Sequence, residues 1–223
     1  MGEVIGQLLP FAVGVAISPL PIIAVVLMLL SPHARAASAG FLLGWLVGII
    51  AVTTLFVFLA GVITPSDDGP STTVSWVKLV LGVVLVLAAG KQWRARPRAG
   101  DEPALPGWMS AIDQLSPVKA TGLAAVLAGV NPKNLAMCLA AGSTIGGADL
   151  STGEDVVAVA VFTVLAASTV AVPVLAYAVA ADRMRSPLDS LREWLLRENT
   201  VVMAVLLLVI GVVLVGNGIS GVS

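Results

Sequence analysis

The residue with the most conspicuous chemistry is Lys133, which lies in the stretch GVNPKNLAMC within an otherwise apolar run. Placing a lysine at the centre of a membrane helix costs at least about 2.5–3.5 kcal/mol. Such a residue is a functional candidate, and the group that offsets its cost has to be found. Asn131 and Asn134 add hydrogen-bonding groups beside it, and Pro132 removes a backbone donor.

The partner of Lys133 is not a carboxylate of the same membrane region, because no Asp or Glu occurs within the apolar runs. Three roles stay open for the ammonium group. It bonds backbone carbonyls that proline leaves free, or it meets an anionic substrate group such as phosphate, sulfate or carboxylate. Alternatively, it is neutral for part of a cycle and carries a proton.

The composition indicates an all-α integral membrane protein. The chain is 58% hydrophobic and only 11% charged, with a mean hydropathy of +1.01, whereas soluble domains carry about 25% charged residues. One histidine, His33, and one cysteine, Cys138, exclude a disulfide within the chain and a cluster of metal ligands. Without a catalytic triad, paired buried carboxylates or a phosphate-binding loop, we expect no enzyme activity, cofactor, metal or nucleic-acid partner.

Six apolar segments are long enough to cross a bilayer. They are Val4–Leu30, Ala36–Ile63, Val74–Trp93, Ala120–Ile145, Val156–Ala181 and Thr200–Ile219. Of the 12 Lys and Arg residues, all but Lys78 and Lys133 lie in the first, third and fifth loops or, for Lys91, at the end of the third segment beside the third loop. Because basic loops stay in the cytoplasm, this sorting predicts a plasma-membrane protein with both termini outside. It also places Lys133 roughly 20 Å into its span, near mid-depth.

The two halves of the chain contain a weak internal repeat. A shift of 113 residues places ISPLP on VNPKN, so that Ser18 meets Asn131 and Pro19 meets Pro132. With three spans per half, the repeats have opposite orientations in the membrane. Pro19, Pro21 and Pro132 predict that the first helix of each repeat is broken near mid-depth, as around the central site of a transporter, although ordinary proline kinks are the alternative.

The predicted organisation divides the sequence into three parts. Residues 1–93 form the first three-helix repeat, residues 94–119 a basic cytoplasmic loop with an amphipathic segment, and residues 120–223 the second repeat. A second cytoplasmic amphipathic segment covers residues 187–198. Each amphipathic segment is either a tether for the following span or a lipid-gathering surface.

Small and hydroxyl residues mark the other candidate contacts. Gly40, Gly44 and Gly48 allow a second backbone to approach the second span closely, for packing within the chain or at the seam of a homodimer. Hydroxyl groups at mid-depth either bond to their own helix or line the cavity between the helix breaks. These hydroxyl residues are Thr53, Thr54, Ser168 and Thr169.

The stretches AISPLPIIAVVLMLLSP, FLLGWLVG, PGWMSAIDQLSPVKA and GVNPKNLAMCLAAG resemble the GAP family of actinobacterial membrane proteins, which is sulfolipid-addressing-protein-like and belongs to the LysE exporter superfamily. The resemblance covers essentially the whole chain. It implies a LysE-like fold of six helices in two inverted repeats, and transport of glycolipids or lipid-linked envelope precursors. The paired motifs of the superfamily fall on Ser18, Pro19 and Pro21, and on 131–134.

We therefore expect a secondary transporter or flippase for a lipid-like, anionic amphiphile, with membrane lipids as partners. The expected substrate contacts are Lys133 and the nearby polar residues Ser18, Asn131 and Asn134, together with the four mid-depth hydroxyls. The alternatives are an exporter of small solutes such as amino acids, and a membrane scaffold for the synthesis or export of envelope lipids.

Overall fold

The structure is a computed structural model, and it describes residues 1–63, 72–96, 112 and 115–220. Within these residues the regular elements are helices, and every predicted apolar segment is helical. The helices are α1 Gly2–Ala16, α2 Pro19–Leu30, α3 Ala34–Ile63, α4 Thr72–Arg94, α5 Pro117–Val130, α6 Pro132–Gly146 and α7 Thr152–Ser220. Most of the first amphipathic segment, in residues 94–119, lies outside the described residues.

The two predicted helix breaks are confirmed, and their backbones are nearly the same. α1 and α2 meet at 54°, and α5 and α6 meet at 69°. Pro19 and Pro132 each begin the second helix of their pair, where the missing N–H breaks no hydrogen bond of that helix. The preceding caps are Ser18, with φ −74° and ψ 111°, and Asn131, with φ −65° and ψ 114°.

Helix α7 contains a change of direction that its prolines do not mark. Pro173 and Pro187 both lie inside the helix, and the residue with non-helical angles is Ala180, at φ −141° and ψ 54°. The non-helical residue thus lies seven positions after Pro173 and seven before Pro187. At the other end, Ser151 and Glu154 form a capping box, in which the carboxylate accepts from the Ser151 N–H at 3.0 Å.

By length and apolar composition, the chain is a multi-pass membrane protein. Three stretches of described helix are long enough to cross a bilayer, namely Ala34–Ala60, Thr152–Leu195 and Thr200–Ser220. The number rises to five when each bent pair counts as one span. The remaining predicted span, Val74–Trp93, corresponds to α4, which is not counted among these five and has several side chains outside the described set.

The chain forms two compact units, and neither coincides with a sequence repeat. The first unit comprises Met1–Gly61 and Ala104–Leu196, and the second comprises Val62–Pro103 and Arg197–Ser223. Both repeats contribute to both units. In the second unit, Gly82 of α4 lies against Gly211 and Val215, and Gly218 lies against Leu79, so the two helices pack closely and run antiparallel.

In the first unit, the glycine stripe of α3 packs against α5. A Cβ atom added at Gly40 would lie 2.5 Å from the Pro117 carbonyl oxygen, and one at Gly44 would overlap the Thr121 backbone. A Cβ atom at Gly48 would lie 2.7 Å from the Cβ atom of Ala128. The stripe is thus used for packing within the chain, the first of the two predicted uses.

The same face of α3 continues onto α6. An added Cβ atom at Gly142 would meet the Phe56 Cβ atom at 2.6 Å, and one at Gly146 would meet the Val57 carbonyl oxygen at 2.5 Å. Partner positions on α3 and on the α5–α6 pair both increase along the sequence. α3 therefore runs parallel to the broken helix over its whole length.

We predict that Gly44→Ala destabilises the protein by about 1–3 kcal/mol, because a close-packed interface does not absorb an added methyl group without shifting backbone. Gly122→Ala on α5 is the matched control, since an added Cβ atom there meets nothing within 4 Å. Unfolding in mixed micelles with increasing denaturing detergent measures both. Equal stability of the two variants would contradict the close α3–α5 contact.

Candidate functional site

Lys133 is buried, with only 1% of its surface exposed, and its Nζ atom has no hydrogen-bond partner among the described residues. It is the second residue of α6. Because Cα–Cβ bonds tilt toward the start of a helix, its side chain leaves α6 toward the break. A buried amine is thus held at the positive end of a helix without a compensating group from the described chain.

The two asparagines beside Lys133 have different tasks. Asn131 caps α6, because its Oδ1 accepts a hydrogen bond from the Lys133 N–H at 3.1 Å. Asn134 reaches back across the break, and its Nδ2 donates to the Leu127 carbonyl at 3.4 Å. The Asn134 Oδ1 atom is buried without a partner. Asn131 is therefore a structural cap, whereas Asn134 retains an unused acceptor beside Lys133.

The first break is satisfied by a residue from another helix. Ser18 caps α2 by position, yet its side chain makes no cap hydrogen bond and its buried Oγ has no partner. Thr169 of α7 instead donates from Oγ1 to the Ala16 carbonyl at the end of α1, at 2.6 Å. The two breaks thus share a backbone geometry but differ in which groups complete them.

The sequence left open a structural role for Lys133, in which its ammonium group bonds backbone carbonyls that proline leaves free. No such bond to the described residues is present. Carbonyls at the ends of the first half-helices are bonded by Thr169 and Asn134, and Lys133 donates to neither. The remaining roles are contact with an anion and transfer of a proton. Both leave the amine without a protein partner in this conformation.

The four mid-depth hydroxyl residues separate into two places. Thr53 is fully buried on α3 and lies beside the Cys138 thiol of α6, and Thr54 next to it is half-buried. Ser168 donates to the Leu165 carbonyl of its own helix at 2.8 Å. Ser168 and Thr169 also line a cavity of about 360 Å³, whose described lining does not include Thr53 or Thr54.

Two buried polar residues are not identified from the sequence. Trp45 is 1% exposed and its Nε1 has no partner, and the Thr163 hydroxyl is also buried and unpartnered. A threonine within an apolar run is a weak sequence signal that could have pointed to Thr163. Trp45 gives none, because it stacks on Phe41 at helical spacing, as an ordinary core pair does.

We predict that Lys133→Met raises the stability of the protein by up to about 3 kcal/mol, because it removes a buried amine that no protein group compensates. Lys119→Met is the matched control, since Lys119 is exposed in the first turn of α5. Reversible unfolding in mixed micelles measures both. A loss of stability in Lys133→Met would instead support a role of Lys133 in holding the breaks together.

Thr169→Val should lower stability by about 0.6–1.7 kcal/mol, the range measured for hydrogen bonds between membrane helices. Valine keeps the shape of threonine but leaves the Ala16 carbonyl without its donor. Thr169→Ser retains a hydroxyl group and should lose less. The idea that Thr169 completes the first break fails if valine and serine at this position give the same unfolding curve.

Comparison with known proteins identifies one family. No curated protein and no solved structure matches the chain. The family described as Sap, sulfolipid-1-addressing protein, matches residues 8–220 and so covers nearly the whole sequence, including both helix breaks, Lys133 and the α3 glycine stripe. The chain therefore belongs to the family of the sulfolipid-1-addressing protein.

Proposed function

We propose that the protein is a secondary transporter or flippase, which moves a lipid-like anionic envelope precursor or glycolipid across the plasma membrane. The observation that carries this proposal is the buried, unpartnered amine of Lys133 at a helix break. An anionic headgroup supplies the partner that the described chain lacks, and it does so only while the substrate is bound.

The position of Lys133 favours an anion over a proton relay. The start of α6 carries the positive end of the helix dipole, and it points toward the break together with the lysine side chain. Two positive contributions at one place stabilise a phosphate, sulfate or carboxylate group. A proton relay needs a second titratable group nearby, and no Asp or Glu occurs in the apolar segments.

The packing of the half-helices supports two inverted repeats. Under the shift of 113 residues, α1 corresponds to α5 and α2 corresponds to α6. α1 packs against α6, and α2 packs against α5, so each contact is the counterpart of the other. Discontinuous helices at corresponding positions of two repeats are the arrangement that transporters use around a central site.

Helix directions support the predicted six-span topology. Because α3 runs parallel to the α5–α6 pair, the chain has to return across the bilayer between residues 63 and 117. The described helix in that interval is α4. The antiparallel course of α4 and the C-terminal part of α7 fits six alternating spans, and the placement of both termini outside rests on the basic loops alone.

A lipid-like substrate is favoured by the scarcity of polar side chains and by the family. The buried polar groups of the first unit are few, whereas a site for a free amino acid needs partners for both its amino and carboxylate groups. The family name refers to a sulfolipid, which is an anionic amphiphile. Hydrocarbon chains need no polar partners in a route through the membrane.

The test is translocation of a fluorescent short-chain phosphatidylglycerol in proteoliposomes, followed by quenching with dithionite. Lys133→Met should slow transfer of this anionic probe by about tenfold to a hundredfold, because hydrogen bonds to charged groups contribute roughly 1.5–3 kcal/mol. Transfer by Lys119→Met should match that of the wild type.

A phosphatidylcholine probe with the same chains controls for the headgroup, and its slower transfer should not depend on Lys133. Equal phosphatidylglycerol rates for wild type and Lys133→Met would remove the assigned role of Lys133. Saturable amino-acid flux in inverted vesicles, with no lipid transfer, would replace the lipid substrate by a small solute.

A further inference from the structure

A slot lies beside the first helix break. It is lined by α2 and by two parts of α7, one of which is the second amphipathic segment. It has a volume of about 360 Å³ and opens to the outside of the first unit. Its lining residues are Ile22, Ser168, Thr169, Val172, Pro173 and Leu191. Four of the six are hydrocarbon side chains. Lys133 is not among the lining residues, so the slot is a separate place from the Lys133 amine.

The two hydroxyl groups of the slot have no donor left for a ligand. The Ser168 hydroxyl donates to Leu165 at 2.8 Å, and the Thr169 hydroxyl donates to Ala16 at 2.6 Å. A polar solute in the slot would find no hydrogen-bond donor to replace its water. A hydrocarbon chain needs none, so the lining selects an apolar occupant.

The depth of the slot decides where that occupant comes from. Ile22 lies three residues after the mid-depth break, and α2 then continues to Leu30 before the first, basic loop. In the proposed topology this loop is cytoplasmic, so the slot extends from mid-depth toward the cytoplasmic side. Its open face meets the hydrocarbon of the inner leaflet.

One edge of the slot is formed by the part of α7 that follows its non-helical residue. We call residues 181–196 the cover segment. After Ala180, the cover segment packs Leu195 against Ile23 of α2, and Leu191 lies against the same cluster while also lining the slot. Ala180 already departs from helical angles, so it is the position in α7 where a hinge would absorb a change of backbone angles.

The contact between the corresponding helices of the second half is closer. Under the shift of 113 residues, α6 replaces α2, and residues 55–60 of α3 replace 168–173 of α7. There, Gly142 lies against Phe56 and Gly146 lies against Ala60, within distances that leave no room for a side chain. The counterpart of Gly142 in α2 is the larger residue Leu29.

From the apolar lining and the depth of the slot we infer that it binds one acyl chain of an amphiphile entering from the cytoplasmic leaflet, with the cover segment closing over it. The inference rests on the proposed function and deepens it, because it assigns the tail of the substrate to Ile22, Val172 and Leu191 and its leaflet of entry to the inner one.

The test is photolabelling with a phosphatidylglycerol whose palmitoyl chain carries a diazirine, followed by mapping of the labelled peptides. Wild-type protein should be labelled within residues 168–173. Val172→Trp fills the slot and should reduce this labelling by about tenfold, which corresponds to roughly 1.4 kcal/mol of lost contact. Val164→Trp is the matched control, since Val164 and Val172 lie on the same helix and are 67% and 63% exposed.

Inverted and right-side-out membrane vesicles test the leaflet. Probe added from outside should label the slot sooner in inverted vesicles, which expose the cytoplasmic face. Equal labelling of Val164 and Val172 would mean that ordinary surrounding lipid alone is seen, and it would overturn the inference. Faster labelling in right-side-out vesicles would overturn the leaflet of entry.

A cross-link tests the cover segment without filling the slot. In a Cys138→Ala background, which removes the one native cysteine, Ile23→Cys and Leu195→Cys join the cover segment to α2 on oxidation. Slot labelling should fall when the pair is oxidised and return on reduction, and unchanged labelling would contradict the role of the cover segment. Slot labelling without lipid transfer would refute the proposed transport but not acyl-chain binding in the slot. Lipid transfer without slot labelling would refute acyl-chain binding in the slot but not the proposed transport.

Discussion

The structure depends on one constraint, which is that hydrocarbon offers no hydrogen-bond partner to a backbone carbonyl. Pro19 and Pro132 interrupt two helices where such partners are scarce, so the protein has to supply them from side chains. Thr169 donates to the Ala16 carbonyl and Asn134 donates to the Leu127 carbonyl. The helices that bring these donors are therefore fixed around the two breaks. Glycines of α3 and α6 allow α3 to pack closely against the α5–α6 pair.

Lys133 departs from this pattern of satisfied groups. Its amine is as deeply buried as the core residues, and it is bonded to nothing in the described chain. A buried charge without a partner lowers stability, and natural proteins keep such features mainly where a ligand supplies the missing interaction. This is why the same residue that weakens the fold is the residue that the proposed transport depends on. The family assignment to the sulfolipid-1-addressing protein is in keeping with an anionic, lipid-like ligand.

The two repeats have matching breaks and different surroundings. Gly142 and Gly146 close the contact between α6 and α3, whereas the larger Leu29 stands at the matching position of α2, and a slot separates part of α2 from α7. The surroundings of the two breaks therefore differ, although their backbone angles are nearly the same.

The sequence by itself determined the class of protein, the helical segments and the positions of both breaks. These are local properties, because apolar length and proline chemistry act within a few residues of their own position. It also singled out Lys133, but it could not choose among a structural, an anion-binding and a proton-carrying role. The structure shows only that the Lys133 amine bonds to no group among the described residues. Likewise, Ser168 and Thr169 are neighbours in sequence, yet one bonds to its own helix and the other to α1. Only the tertiary structure decided this, because successive residues of a helix point in directions about 100° apart and meet different neighbours.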